Sequence, residues 1–307
     1  MGGVESLGDL LRPASAALAA AFDDVGVPGA LARAIRRTPD APPPTPAPAV
    51  PDGARLAVLA GPGVLAFDAV DALHRLANRA GIGVANTWGA KGVYPWDDPH
   101  HLGTVGLQRD DLTLLALDAV DLVLAVRLDP LEVPHAAIGR PVLHVDLRAL
   151  DDLRVRASSA PIARPPFFDV IAAVAGPGYV SEDRPRHPAR AVMDLKRGIP
   201  PGAVVTGEPG PVGFWIARTF PTDAPGQVVV PAWRREGAAA ALALAAALGG
   251  RHATAVLPTP VDPTTVEVAR IVDALEAPVR IEPWGDDVDL TRTADLVAAA
   301  GPIVAWT

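Results

Sequence analysis

Three groups of residues in this sequence have types and spacings that could do chemistry. Gly61-Pro62-Gly63 interrupts an apolar run, Leu56 to Ala60, and glycines at such a strand end let backbone approach backbone or ligand closely. Gly285-Asp286-Asp287 follows another apolar run, and carboxylates in a turn there could take a hard divalent cation, which wants oxygen ligands. The alternative is a solvated turn ahead of a helix, whose first residues favour negative charge. Asp262 precedes Pro263 and Thr264, which is also the chemistry of a helix start. His100-His101 and His144 offer a base or a metal ligand, with structural or surface roles expected for the pair and a core role for His144 inside a strand. No Gly-x-Ser-x-Gly elbow, His-Glu-x-x-His helix or Gly-x4-Gly-Lys-Ser phosphate loop is present, and there is no cysteine.

The elements that must position these groups alternate in type. Leu56–Ala60 reads as a strand, followed by a helix from Phe67 to Ala80, then a second apolar run, Ile82 to Ala85. Asn86 to Pro95 and Asp98 to Gly106 read as loops. Asp121–Val126 and Pro141–Asp146 read as two further buried strands. Beyond a loop-like passage at 176–190, strands at 203–206, 227–230, 253–257 and 278–281 alternate with helices at 212–219, 236–248, 264–275 and 290–300. A last strand is expected at 302–306. This order predicts an α/β protein with two doubly wound, parallel-sheet, Rossmann-like domains joined by proline-rich linkers. The expected divisions are a helical segment at 1–37, a proline-rich linker at 38–52, one domain at 53–175, a linker at 176–200 and a second domain at 201–307. Leu7, Leu10, Leu11, Leu18 and Phe22 give the first segment its helical spacing, and Asp40 to Pro48 favours extended polyproline structure.

At 307 residues, half of them apolar, the chain can bury two ordinary cores. A net charge of −8 with no dense basic cluster argues against nucleic acid. The longest uncharged run, Gly237 to Gly250, is too short to span a bilayer, so the expectation is a soluble cytoplasmic protein.

The order Gly61 and Gly63, Thr87, Lys91-Gly92, Gly103 and Gly106, Asp121 to Leu124, Arg127-Leu128-Asp129, then the strand ending in Asp146, resembles the middle domain of thiamine diphosphate-dependent enzymes of the acetolactate synthase and pyruvate oxidase type. One departure is that Val126 runs directly into Arg127, where the family has a glycine. The second half resembles the family's pyrophosphate-binding domain in degenerate form. Thr259-Pro260-Val261 stands where the family has Gly-Asp-Gly, and Gly285-Asp286 stands where it has asparagine; the chain's two asparagines are Asn78 and Asn86. The family's catalytic glutamate belongs to an N-terminal pyrimidine-binding domain and maps to no residue here.

The resemblance therefore implies no catalytic residue and no self-sufficient binding of thiamine diphosphate with magnesium, with Asp286 and Asp287 as the weak metal candidates. It implies that Gly61, Gly63, Thr87, Gly106, Arg127 and Asp146 are the positions that would touch an adenine nucleotide such as FAD, if one is bound, or else simply shape turns. The function implied is that of a binding or partner subunit, self-associating or paired with a full-length or complementary family member. One alternative is half of a split carboligase or decarboxylase acting on 2-oxo acids. Another is a nucleotide-binding oxidoreductase module.

Overall fold

The computed structural model describes residues 49–158 and 160–306, without the side chain of residue 118. The expected helical opening and most of the proline-rich segment lie outside the described residues. The first sheet has five parallel strands, β1 (Leu56–Ala60), β2 (Val84–Thr87), β3 (His101–Val105), β4 (Leu122–Val126) and β5 (Val142–Val145), in the order β3-β2-β1-β4-β5. The short α1 (Gly63–Ala66) and then α2 (Val70–Ala80) connect β1 to β2. Leu73, Leu76, Ala77 and Ala80 recur at helical spacing on the buried face of α2, and Gly81, at φ 62°, closes it in the left-handed conformation. A further short helix, α3 (Asp111–Leu114), follows β3.

Two longer helices, α4 (Pro166–Tyr179) and α5 (Pro188–Gly198), lead to the second sheet. There β6 (Val204–Gly207), β7 (Val228–Val229), β8 (Ala253–Pro258) and β9 (Val279–Trp284) are parallel in the order β7-β6-β8-β9. The connecting helices are α6 (Pro211–Thr219), α7 (Ala238–Leu248) and α8 (Pro263–Ala274), with α9 (Thr293–Ala300) at the end.

The fold is the α/β architecture expected, and strand alternation sorts its core. Ala57 and Leu59 of β1 face a central apolar cluster that also holds Val205 of β6, Phe214 and Trp215 of α6, and Leu296 of α9. Val58 and Ala60 face a second cluster with α2, while Ala253, Ala255 and Leu257 of β8 face a third with α7 and α8. One continuous core therefore joins the inner faces of both sheets.

Four local expectations differ. His101–Val105, expected as loop, is edge strand β3, held by parallel pairing to β2 despite Gly103. Residues 176–200, expected as a linker, carry the end of α4 and all of α5; Pro188 stands in the first turn of α5, where its missing N–H costs nothing, and His187 caps it by accepting from Ala189 N. Residues 302–306 form no strand. Ile303 makes an isolated antiparallel bridge with Gln108, and Val304 N donates to Leu107 O, so the tail returns to the first domain. His144 is exposed instead of buried, because β5 is an edge strand; its Nε2 lies 3.3 Å from Nδ1 of His135 and the two rings stack.

Candidate functional site

Each sheet has a point where its strand order reverses, between β1 and β4 in the first and between β6 and β8 in the second. In parallel α/β sheets, ligands bind outside the carboxyl ends of the strands at such points.

At the first edge, the segment Arg127–Val133 after β4 folds back over the turns that follow β1, β2 and β3. A Cβ on Gly61 would overlap Arg127 O and Leu128 Cα, one on Gly63 would come within 2.6 Å of Arg127 Cβ, and one on Gly106 within 2.6 Å of Glu132 O. These glycines are small for the chain's own backbone to pass. Arg127 itself takes φ 51°, a left-handed conformation that is costly for a non-glycine residue, and its guanidinium lies 4.9 Å from the centre of the Phe67 ring. What stays open is a cavity of about 590 Å³ lined by Gly63, Arg127, Asp129, His144 and Asp146, among others. Asp146 also caps the following turn, accepting from Arg148 N at 2.9 Å.

Of the six nucleotide positions read from sequence, then, the structure brings Gly63, Arg127 and Asp146 together around one cavity. Gly61 and Gly106 lie under backbone. Thr87 is fully buried and stands beside the carboxyl of Glu132, outside hydrogen-bonding geometry. Glu132 accepts from Gly89 N at 3.2 Å. Its burial pushes its pKa up to about 7 against the opposing pull of the Thr87 hydroxyl and Gly89 N–H, and Asp129 pushes the same way as burial.

Behind this edge lies a buried polar cluster that the motifs did not indicate. Arg218, at the end of α6, donates to Thr104 O at 2.8 Å and to both carboxylate oxygens of Asp111 at 2.7 and 2.9 Å. Asp111 also accepts from Leu107 N and Gln108 N, so one buried ion pair ties the two sheets together. His101, Asn86 and Lys91 are buried beside it. The available signal was composition: Lys91 is one of only two lysines in a chain rich in arginine.

At the second edge the acidic groups are engaged by the chain itself. Glu208, just after β6, accepts from Ala239 N in the first turn of α7 at 3.0 Å. Burial pushes its pKa up to about 7; the Ala239 N–H opposes this, while Asp262 and Glu236 reinforce it. Asp262 caps α8, accepting from Thr265 N at 2.9 Å and Thr265 Oγ1 at 2.7 Å. Asp287 pairs with Arg186 at 2.6 Å, which holds its carboxyl below the usual range. Asp286 sits in the exposed turn between β9 and α9. Thr259-Pro260-Val261 follows β8 with no carboxylate, and among the described residues no group of three or more acidic or histidine side chains could hold a metal.

Residues 49–159 match the family described as "Thiamine pyrophosphate enzyme, central domain", which is the segment carrying the first sheet. This segment, about a third of the chain, is similar to the central domain of thiamine pyrophosphate enzymes. Among solved structures it is similar to a provisionally assigned thiamin diphosphate-dependent enzyme from Mycobacterium smegmatis, at 17% identity and TM-score 0.57 over 76% of this chain. The chain spans about half (51%) of that protein, and the likeness shows a shared fold. No curated protein matches. Among the described residues, no helix is long and apolar enough to cross a membrane.

Proposed function

We propose that this thiamine pyrophosphate enzyme homologue acts as a binding or partner subunit and does not run thiamine chemistry by itself. The observation that carries this reading is the second edge. A magnesium ion gripping a diphosphate needs several oxygens in near-octahedral array. Here Glu208, Asp262 and Asp287 already bond to Ala239 N, Thr265 and Arg186, and the Thr259-Pro260-Val261 turn contributes no carboxylate. The residues present do not fit the cation, so no reaction step is derived through that cofactor. The natural partner is a second copy or a complementary member of the same family, which would make the active entity a shared assembly.

The test pairs calorimetry with sedimentation. Titrating thiamine diphosphate with magnesium into the chain is expected to give no magnesium-dependent binding in the micromolar range, and sedimentation is expected to show an oligomer, alone or with a full-length relative. Micromolar magnesium-dependent binding would overturn the first half. A strict monomer that ignores such relatives would overturn the second. Pyruvate decarboxylation appearing only on addition of a separate pyrimidine-binding domain would establish the split enzyme instead.

A second reading, a nucleotide at the first edge, is favoured by the cavity that gathers Gly63, Arg127 and Asp146. An arginine there suits a diphosphate and an aspartate suits a ribose or adenine donor. The other glycine positions are filled by Arg127–Val133, so FAD lying along the whole edge does not fit, whereas a phosphate-bearing group at Arg127 does. In binding titrations, Arg127→Ala should weaken such a ligand by roughly tenfold or more. Unchanged affinity places the ligand elsewhere.

A further inference from the structure

His187 stands where the end of α4, the turn at 181–187 and the turn before α9 meet, and it is 8% exposed. Three neighbours fix its ring. Nδ1 accepts from Ala189 N at 3.1 Å, the ring stands edge-on to Trp215 with centroids 5.5 Å apart, and a Cβ on Gly178 of α4 would come within 2.3 Å of Nδ1. Because Nδ1 accepts, the neutral ring carries its proton on Nε2. Burial first, and then the charge of Arg292, hold the pKa below the usual imidazole value, with Asp295, Asp183 and Asp289 pulling the other way. Nε2 finds no acceptor among the described residues and is not sealed among them, and the ring lines a cavity of about 430 Å³. The Nε2–H group is therefore what His187 turns to that cavity.

Arg292 lines the same cavity. Its guanidinium has three carboxylates around it, Asp289 at 3.5 Å, Asp295 at 3.7 Å and Asp183 at 3.9 Å, and none of these contacts is a hydrogen bond. Asp289 is engaged elsewhere, accepting from Thr291 N at 3.2 Å. The carboxylates of Asp183 and Asp295 line the cavity and have no other partner among the described residues. The wall contributed by α4 is apolar, with Ala173, Val174 and Pro177. Two carboxylates against one guanidinium and a neutral imidazole leave the lining with a net negative charge. An anion alone would meet that excess, and a cation alone would leave the donors of His187 and Arg292 unanswered. A molecule that carries both charges satisfies both sets of groups.

We propose that this cavity binds an α-amino acid with an aliphatic side chain. The ligand carboxylate accepts from His187 Nε2–H and from the Arg292 guanidinium, whose loose contacts leave its N–H groups free to turn to a charge-assisted partner. The ligand ammonium donates to Asp183 and Asp295, and the side chain lies on Ala173, Val174 and Pro177. A volume of about 430 Å³ falls toward the small end of ligand sites, which suits a molecule of this size. Bound there, the ligand ties the turn at 181–187 to the start of α9. None of the lining residues is a nucleotide or cation position of either sheet edge, so the proposal stands or falls separately from the partner-subunit reading.

The test is calorimetric titration of the full chain with L-norleucine, alongside pentylamine, which lacks the carboxylate, and hexanoate, which lacks the amine. Norleucine is expected to bind at a single site and to raise the melting temperature, because it binds the folded chain alone. Pentylamine and hexanoate are expected to bind roughly tenfold or more weakly, and Asp295→Asn and Arg292→Gln should each weaken norleucine by a similar factor. Ala173→Phe, at an exposed position, should abolish binding by filling the cavity while the melting temperature of the free chain stays unchanged. No saturable binding of norleucine in the millimolar range overturns the proposal. So does equal binding of pentylamine, which would make this a cation site, or of hexanoate, which would make it an anion site. Norleucine affinity unaffected by the three substitutions would put the ligand elsewhere and overturn it as well.

Discussion

At the edge of the first sheet the chain fills its glycine turns with its own backbone, and at the matching edge of the second it fills its helix starts with carboxylates. Arg127–Val133 covers Gly61, Gly63 and Gly106 in the first case. Glu208 and Asp262 occupy the first turns of α7 and α8 in the second. The same Rossmann-like crevice is thus closed once by sterics and once by hydrogen bonding. Only the first closure leaves a cationic side chain, Arg127, at an open cavity. A phosphate approaching the second edge would meet acids already seated on the helix dipoles that might otherwise attract it.

The largest effect should come from cutting the joint between the two edges. Asp111→Ala leaves the Arg218 guanidinium charged and fully buried, and removal of one partner of such a pair costs about 3–5 kcal/mol. In urea titrations the loss should split a single transition into two. Trp88 reports the first edge, and Trp215 and Trp284 report the second. A cost below about 1 kcal/mol would mean that the joint is carried by the shared apolar core.

Next comes a pair of glycine substitutions that tests the steric half of the comparison. Gly61→Ala drives a methyl into the backbone of Arg127 and Leu128, which cannot rotate away, and overpacking of this kind costs about 1–3 kcal/mol. At the second edge, a Cβ on Gly285 meets the Thr259 hydroxyl at 2.7 Å, the end of a side chain that can turn, so Gly285→Ala should cost well under half as much. Equal melting shifts for the two variants would remove the distinction between the edges.

Sequence periodicity was enough to read both sheets and most helices, because buried parallel strands such as Leu56–Ala60 and amphipathic helices such as Val70–Ala80 carry their burial in their spacing. It missed β3, whose His101 and Gly103 look like loop and whose strand character comes only from pairing with β2. It missed α5 as well, since Pro185 and Pro188 punctuate the chain before a helix that starts on a proline. For the site, the glycines, Arg127 and Asp146 were legible as positions but not as contacts. Whether a glycine admits a ligand or the chain's own backbone depends on where residues 127–133 fold, which no local pattern encodes. The Lys91, His101, Arg218 and Asp111 cluster joins residues more than a hundred positions apart.

Titration should separate the two edges from the buried cluster. Glu132 and Glu208 have folded pKa values raised to about 7, so each contributes stability that is present below the ordinary carboxylate range and lost as pH rises through about 7. Lys91 is lowered to about 7, so its contribution is present above the ordinary lysine value and lost as pH falls through about 7. These three groups together place a dip in stability near pH 7. Glu132→Gln should flatten its acid side and Lys91→Met its alkaline side, as read from urea midpoints across pH. Midpoints in the two variants that follow the unaltered chain at every pH would show that these groups do not titrate as described.

The smallest effect tests whether the first edge is strained at its one open residue. A left-handed conformation costs a non-glycine residue about 1–2 kcal/mol, and Arg127 adopts it at φ 51°. Arg127→Gly removes that cost. It also gives up the stacking on Phe67, about 0.5–1 kcal/mol at a partly exposed site, and adds unfolded-chain entropy of about 0.5–1 kcal/mol. The sum is close to zero. Arg127→Ala keeps the strain and loses the stacking, so it should be the less stable of the two by about 1 kcal/mol, even though alanine is the smaller chemical change. Paired thermal melts read this difference directly. If alanine proves equal to or better than glycine, the left-handed turn at Arg127 is not strained, and the arginine needs no functional reason to stand there. If glycine wins, the chain tolerates a less stable turn at the one point where its first edge still offers a cation to a ligand.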